Sequence, residues 1–212
     1  MDRQPAHRML KGMLHIMIAT LGEFAMATEE PSFKASLQEG AFEVRDYPAL
    51  VVAEVTVGGD RGEASYAGFR LLAGYIFGGN TRRQSIAMTA PVVQTVSGSE
   101  TIAMTAPVMQ TGTTGAWTVR FILPAGSTLA TLPVPNDERV HLLAVAPVRQ
   151  AVVRFSGLAN EADIAQKTAE LMAWTVTHQL PVIGPASLAR YNPPWTLWFL
   201  RRNEVMLPLA SP

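Results

Sequence analysis

Between residues 189 and 205 the chain packs four aromatic side chains, two prolines and three arginines into seventeen positions. Pro193 and Pro194 lack amide hydrogens and fix their own backbone, so this stretch reads as a loop rather than a helix or an inner strand. Rings on an exposed loop are unfavourable in water unless they cover something. Tyr191, Trp195, Trp198 and Phe199 therefore either cap the protein's own core or stack on a bound molecule. A second unusual stretch is Ile86-Ala87-Met88-Thr89-Ala90-Pro91-Val92, which recurs sixteen residues later as Ile102-Ala103-Met104-Thr105-Ala106-Pro107-Val108. Two copies are too few for a solenoid. They suit a hairpin of two strands that present Met and small residues to one face, where Met88 and Met104 fill gaps in a core or line a ligand wall.

Side chains for conventional catalysis are thinly represented. The chain has no cysteine, which excludes disulfides, thiolate metal sites, cysteine nucleophiles and covalent attachment of a prosthetic group through Cys-x-x-Cys-His. It carries neither a Gly-rich phosphate loop nor a G-x-S-x-G nucleophile motif. The acidic residues are spread out, so no carboxylate pair stands forward as acid and base. Of four histidines, His7 and His15 belong to the N-terminal segment, His141 falls in a predicted strand, and His178 falls at a helix end where its charge suits the macrodipole.

Composition points to a single folded domain. Hydrophobic residues make up 48% of the 212 and charged ones 16%, too apolar for a disordered chain. Seventeen basic residues balance seventeen acidic ones, so net charge gives no reason to expect a nucleic-acid partner. The N-terminus differs from the rest. Arg3, His7, Arg8 and Lys11 precede the apolar run Met13–Leu21, and Ala25-Met26-Ala27 follows. This order resembles a secretory signal over residues 1–27, with a periplasmic mature domain over 28–212. An uncleaved anchor and a cytosolic extension are the alternatives, and the apolar run is short for a membrane span.

The elements that position these residues follow from periodicity. Phe42–Tyr47 alternates apolar and polar, Pro48 marks a turn, and valine-rich Leu50–Val57 reads as the return strand of a hairpin. A helix is predicted over 63–77, with Tyr66, Phe69, Leu72, Ala73 and Ile76 sharing one face and Gly78-Gly79-Asn80 ending it. Strands follow at 84–93, 101–110 and 117–123, then at 140–146 and 150–156. A second helix is predicted over 161–178, capped by Asn160, with Ala165, Ala169, Met172 and Val176 as its apolar face. Short strands near 187–191 and 204–207 close the chain. Each half reads as strands, helix, strands, an order that favours an antiparallel sheet or open barrel with two packed helices.

Several segments in this order resemble the SOUL haem-binding family: Glu43-Val44-Arg45-Asp46-Tyr47, then Phe69 and Tyr75-Ile76-Phe77-Gly78-Gly79-Asn80, the paired IAMTAPV segments, Phe155-Ser156-Gly157, and the closing RYNPPWTLWFLRRNEV. Together they span about 32–207. The resemblance implies an α+β fold, a distorted antiparallel β-barrel of two similar halves flanked by two long helices. It also implies non-covalent binding of haem or another porphyrin, between the first helix and the loop before the last strand. On that basis Tyr66, Phe69, Leu72, Ala73 and Ile76 form one side of the site and Tyr191, Trp195, Trp198 and Phe199 the other. Arg201 and Arg202, with Arg82 and Arg83 past the helix, are then propionate partners or plain surface charge.

Some animal members carry a proposed iron-ligating histidine beside the first-strand tyrosine. Asp46 stands there in this chain, which leaves Tyr191, His141 and His178 as candidate ligands, each also suited to a structural role. The expected function is a tetrapyrrole carrier, buffer or sensor without catalysis. The alternatives are a general sequestering domain for bulky amphipathic ligands and an enzyme acting on tetrapyrroles.

Overall fold

The computed structural model describes residues 29–96, 115–193 and 195–211. The expected signal segment, the second IAMTAPV copy with Met104, the strand expected at 101–110, and Pro194 lie outside the described residues. Along the described chain run β1 (Lys34–Glu39), β2 (Phe42–Tyr47), β3 (Leu50–Val57), the helix α1 (Arg61–Ile76), β4 (Val92–Val96), β5 (Trp117–Ile122), β6 (His141–Val145), β7 (Val148–Phe155), the helix α2 (Glu161–Thr177), β8 (Ser187–Arg190) and β9 (Asn203–Leu209). No helix among the described residues is long and apolar enough to cross a membrane.

The strands form one sheet in the order β1-β2-β7-β9-β8-β4-β5-β3-β6, with every pairing antiparallel. This order relates the run β2-β3-α1-β4-β5 to the run β6-β7-α2-β8-β9. In each run the helix follows the second strand, and the first strand crosses to the other half, so that β2 pairs with β7 and β6 with β3. The hairpin expected across Pro48 is therefore absent. Both edges of β2 are filled, by β1 and β7, and both edges of β3 by β5 and β6.

The expected barrel is also corrected, because hydrogen bonds do not close the sheet and β1 and β6 are its two ends. A barrel needs a continuous stagger of pairings all the way round. Here β1 carries a bulge between Ala35 and Leu37 and presents mostly exposed side chains, features that bend a strand and end pairing.

Both helices lie on one face of the sheet. α1 buries Ala64, Gly68, Leu72, Tyr75 and Ile76, the last three over Ala53, Val55, Val119 and Phe121. α2 sets Ile164 and Leu171 against Val44, Ala151, Val153, Val205 and Leu207. On α1 the expected face packs as foreseen at Phe69, Leu72, Ala73 and Ile76, whereas Tyr66 is 68% exposed. Gly68 explains that exception: a Cβ there would sit 2.6 Å from Val119 Cγ2, so the helix axis rests on that glycine and turns Tyr66 outward. On α2 the packed face differs from the expected one: Ala165, Ala169 and Val176 face solvent, and the buried stripe lies one residue earlier, at Ile164, Leu171 and Thr175. Successive helical positions differ by about 100°, and the larger Ile and Leu side chains win the core over the alanines.

Both helices begin with a reciprocal capping box, Asp60 with Glu63 and Asn160 with Asp163, which satisfies amides that the first turn leaves free. α1 ends where Gly78 takes a positive φ of 107° and Gly79 donates its amide to Gly74 O at 2.8 Å. Asn80, fully buried, donates to Tyr75 O and Gln84 O and accepts from the Gln84 amide. The strand expected from residue 84 begins only at Val92. The segment before it is irregular, although Ile86 and Ala90 are buried and Met88 packs against the α1 core.

Asn80 thus closes three hydrogen bonds at the helix exit. Asn80→Ala is expected to lower stability by about 2 kcal/mol or more, seen as a lower urea midpoint with an unchanged slope.

Candidate functional site

The loop from Tyr191 to Arg202 leaves the end of β8 and returns as β9, next to the seam where β4 and β8 pair. Side chains alternate across a strand, so the loop base is split between the two faces of the sheet. Arg190 lies on the helix face, in the same-face row Phe121–Val92–Arg190–Asn203 that runs across β5, β4, β8 and β9. Tyr191, one residue on, lies on the face without helices.

Within the loop, Trp195, Leu197, Trp198, Phe199 and Leu200 are between 51% and 83% exposed. Trp198–Leu200 forms one 3-10 turn, and the rings of Trp198 and Phe199 meet edge to face at 5.6 Å. Of the two roles open for the four rings, Tyr191 packs against the core, whereas Trp195, Trp198 and Phe199 present apolar surface to water.

On the helix face, Arg190 Nη1 donates to Ser65 Oγ of α1 at 3.2 Å, and Nη2 reaches Ala159 O, just before α2, at 3.5 Å. Burial lowers the pKa of Arg190, and the neighbouring charges of Arg61 and Arg201 lower it further, against the opposite pull of Glu161. Arg61 stacks over the Trp117 ring at 4.3 Å and pairs with Glu161 at 2.7 Å. Arg201 Nε donates to Thr196 O inside the loop. The N-terminal part of α1, from Arg61 to Tyr66, is therefore the part of that helix held to the loop base.

On the other face, Glu204 of β9 is fully buried. Arg45 donates to both of its oxygens, at 2.8 and 3.1 Å, Arg202 to one at 3.0 Å, and the Tyr191 hydroxyl to the other at 2.6 Å. Burial alone would raise the pKa of Glu204, but the hydrogen bonds from Arg45 and Tyr191 and the charges of Arg45 and Arg202 hold it below the usual carboxylate range. Tyr191 is pushed well above its ordinary value by burial and by the Glu204 charge. Arg202 lies 3.7 Å over the Tyr191 ring and also pairs with Glu30.

The residues expected to form the site thus separate into groups. Trp195, Trp198, Phe199 and Arg201 belong to the loop, and Tyr66 is exposed on α1 beside Arg70. Leu72 and Ile76 are buried under α1, Ala73 packs beside them, and Phe69 meets Phe121 edge to face. Arg202 and the Tyr191 hydroxyl are committed to Glu204. Arg82 donates to Thr131 O, and Arg83 is exposed with a φ of 50°. His178 caps the end of α2 against Trp174 O and Glu39, contacts that raise its pKa. His141 is exposed on β6, with β4, β5 and β3 between it and β8. Asp46 faces Arg149 at 3.7 Å. Separately, a groove of about 660 Å³ runs along the outer side of α1, over Gly74 and Gly79 between Arg70 and Arg139.

Sequence reasoning missed Arg190, Arg61 and the Arg45–Glu204 pair. The available signal for Arg190 was its place two residues after Leu188 in a short strand. That spacing puts a charge on the buried face.

An antiparallel sheet with two helices on one face and an aromatic loop at its seam defines a class of α+β domains, and the sequence assigns this chain within it. The family model described as SOUL heme-binding protein matches residues 28–208, and the chain belongs to that family. No curated protein matches the sequence. Among solved structures, the C-terminal domain of EcmrR shares the fold at a TM-score of 0.58 and 9% identity, over 85% of this chain and 99% of that one. A hydrolase from Listeria innocua does so at 0.55 and 13% identity, over 82% and 94%. An uncharacterized conserved protein from the same organism does so at 0.56 and 14%, over 80% and 92%. At such identities the likeness is one of fold.

Glu204 tests the electrostatics directly. Glu204→Gln leaves the buried Arg45 with Glu43, at 2.6 Å, as its remaining carboxylate partner, and is expected to cost about 3 kcal/mol near neutral pH. Because the folded pKa is depressed, the stabilisation is present above the ordinary value of 4.5 and is lost as pH falls through the folded value. Denaturant midpoints of wild type and variant should therefore differ at pH 7 and converge as the pH falls below 4.5 and through the folded value.

Proposed function

We propose that this protein binds haem or a related tetrapyrrole non-covalently and serves as a carrier or buffer rather than a catalyst. The observation that carries the reading is the exposed apolar side chains of Trp195, Leu197, Trp198, Phe199 and Leu200 on one loop, set between Arg190 and Arg201 in a chain of the SOUL haem-binding family. An exposed apolar patch of this kind marks an interaction site. A flat macrocycle needs apolar contact on its ring and cations near its carboxylates.

The residues suit the ring and the carboxylates better than the iron. Rings of Trp195, Trp198 and Phe199 supply stacking area, Tyr66 stands exposed on the neighbouring part of α1, and Arg190 and Arg201 supply positive charge on the helix side. Of the candidate iron ligands, Tyr191 holds its proton in a hydrogen bond to Glu204, His178 bonds Trp174 and Glu39, and His141 lies on the edge strand. The site reads macrocycle and charge, and bound metal adds only its own chemistry. A general sequestering role for bulky amphipathic ligands rests on the same exposed patch.

Hemin and metal-free protoporphyrin titrated in parallel are expected to bind with similar affinity at one-to-one stoichiometry, and to be recovered intact. Trp198→Ala should weaken both about tenfold, the equivalent of about 1.4 kcal/mol of lost apolar contact. A saturable Soret shift with hemin alone would overturn the ring-and-carboxylate reading, and unrelated dyes binding as tightly would favour general sequestration.

A further inference from the structure

Seven residues line up in register across the helix face of the sheet: Val55, Val119, Gln94, Leu188, Val205, Val153 and Phe42. Directly paired antiparallel residues point the same way, so this row is the floor on which both helices rest. Six of the seven are apolar. Gln94, the exception, sits on β4 at the seam between the halves. It is 2% exposed. Its Nε2 donates to the backbone oxygen of Arg61, in the first turn of α1, and its Oε1 has no hydrogen-bond partner among the described residues.

Arg190 is the neighbouring same-face residue on β8, because Gln94 pairs with Leu188 and Arg190 stands two residues further along that strand. Its partners are the neutral Ser65 Oγ and Ala159 O. Among the described residues no carboxylate lies within ion-pair distance of it. A largely covered guanidinium without a counter-ion, with two other arginines nearby, is unfavourable unless an anion joins it. The first turns of α1 and α2 meet here as well, through Arg61 and Glu161, and bring the positive ends of two helix dipoles to the same place.

We propose that the place where the first turns of α1 and α2 meet, beside Arg61, Arg190 and Gln94, holds a carboxylate of the bound ligand, with Arg190 as its charged anchor. The ligand's identity as a tetrapyrrole rests on the function proposed above; the anion site does not. Arg190 supplies two parallel N–H donors to a planar carboxylate. A water between that carboxylate and Gln94 Oε1 donates to both, completing the orphaned acceptor. Arg202, the other arginine at the loop base, is excluded from this role by its pairing with Glu204 and Glu30.

The test compares hemin with its dimethyl ester, whose carboxylates are blocked, on wild type, Arg190→Gln, Arg190→Lys and Arg61→Gln, each first checked for native thermal unfolding. Wild type should favour the free acid at least tenfold. Arg190→Gln should abolish that preference by weakening the acid alone, Arg190→Lys should keep part of it, and Arg61→Gln should reduce it. In parallel, sodium phosphate should raise the wild-type unfolding temperature above that in sodium chloride at equal ionic strength, and should not do so for Arg190→Gln. If wild type binds neither porphyrin, the tetrapyrrole reading fails and the phosphate comparison alone decides the anion site. An undiminished acid preference in folded Arg190→Gln, or equal phosphate stabilisation of both proteins, overturns the inference. Should Arg190→Gln not fold, an undiminished preference in both Arg190→Lys and Arg61→Gln does the same.

Discussion

Four residue pairs, from Val92 opposite Arg190 to Thr95 opposite Ser187, join β4 to β8 and with them the two halves of the protein. On either side of this seam the sheet is covered by one helix, and each helix has its own cluster of buried side chains. At the seam the two clusters meet, and among the helix-side positions of its strands are the polar Gln94 and Arg190 beside the apolar Val92 and Leu188. The loop that carries the exposed rings leaves from the same end of β8. Charge, an orphaned polar group and apolar surface are thus brought together where the two halves meet.

The opposite face of the sheet follows a different logic. Glu204 is saturated by Arg45, Arg202 and Tyr191, and Phe33 covers Arg45 with its ring at 4.4 Å. Arg45 and Arg202 both pair with Glu204, and this structural network fixes both ends of the loop against β2 and β9. The division of labour passes through single peptide bonds. Tyr191 and Arg202 anchor the loop from one face, while their neighbours Arg190 and Arg201 stay on the side that holds the proposed ligand.

How much of this was legible in the sequence depends on the range of the interaction. Asn160 as a helix cap, the two helices, and the strands β2, β3 and β8 follow from local patterns and stand within a residue or two of where they were expected. Pairing partners did not follow, because β2 meets β7 rather than the adjacent β3, and nothing local distinguishes those two outcomes. β1 was invisible for a simple reason: an edge strand with mostly exposed side chains has no apolar alternation to detect. The face of α2 was misjudged by about one residue, and on α1 only Tyr66 departs from the expected face, since the weight of Gly68 lies in the close approach it permits. At the site, the rings of 195–199 were legible from their chemistry and the two prolines. Arg201 and Arg202 look equivalent in sequence and face different ways in the fold, and Arg190 acquires meaning only once Leu188 is known to face the core.

The exchange of first strands between the halves has a consequence for how the chain is made. About a hundred residues separate β2 from its partner β7, so on a ribosome adding roughly 5–20 residues each second β2 waits for several seconds before that partner exists. During that interval its apolar face and one hydrogen-bonding edge are without their native cover. β1 pairs with the other edge as soon as the tight turn at Gly40 is complete. The polar strand that contributes least to the finished core is thus the one available earliest, and it acts as a built-in guard for the nascent sheet.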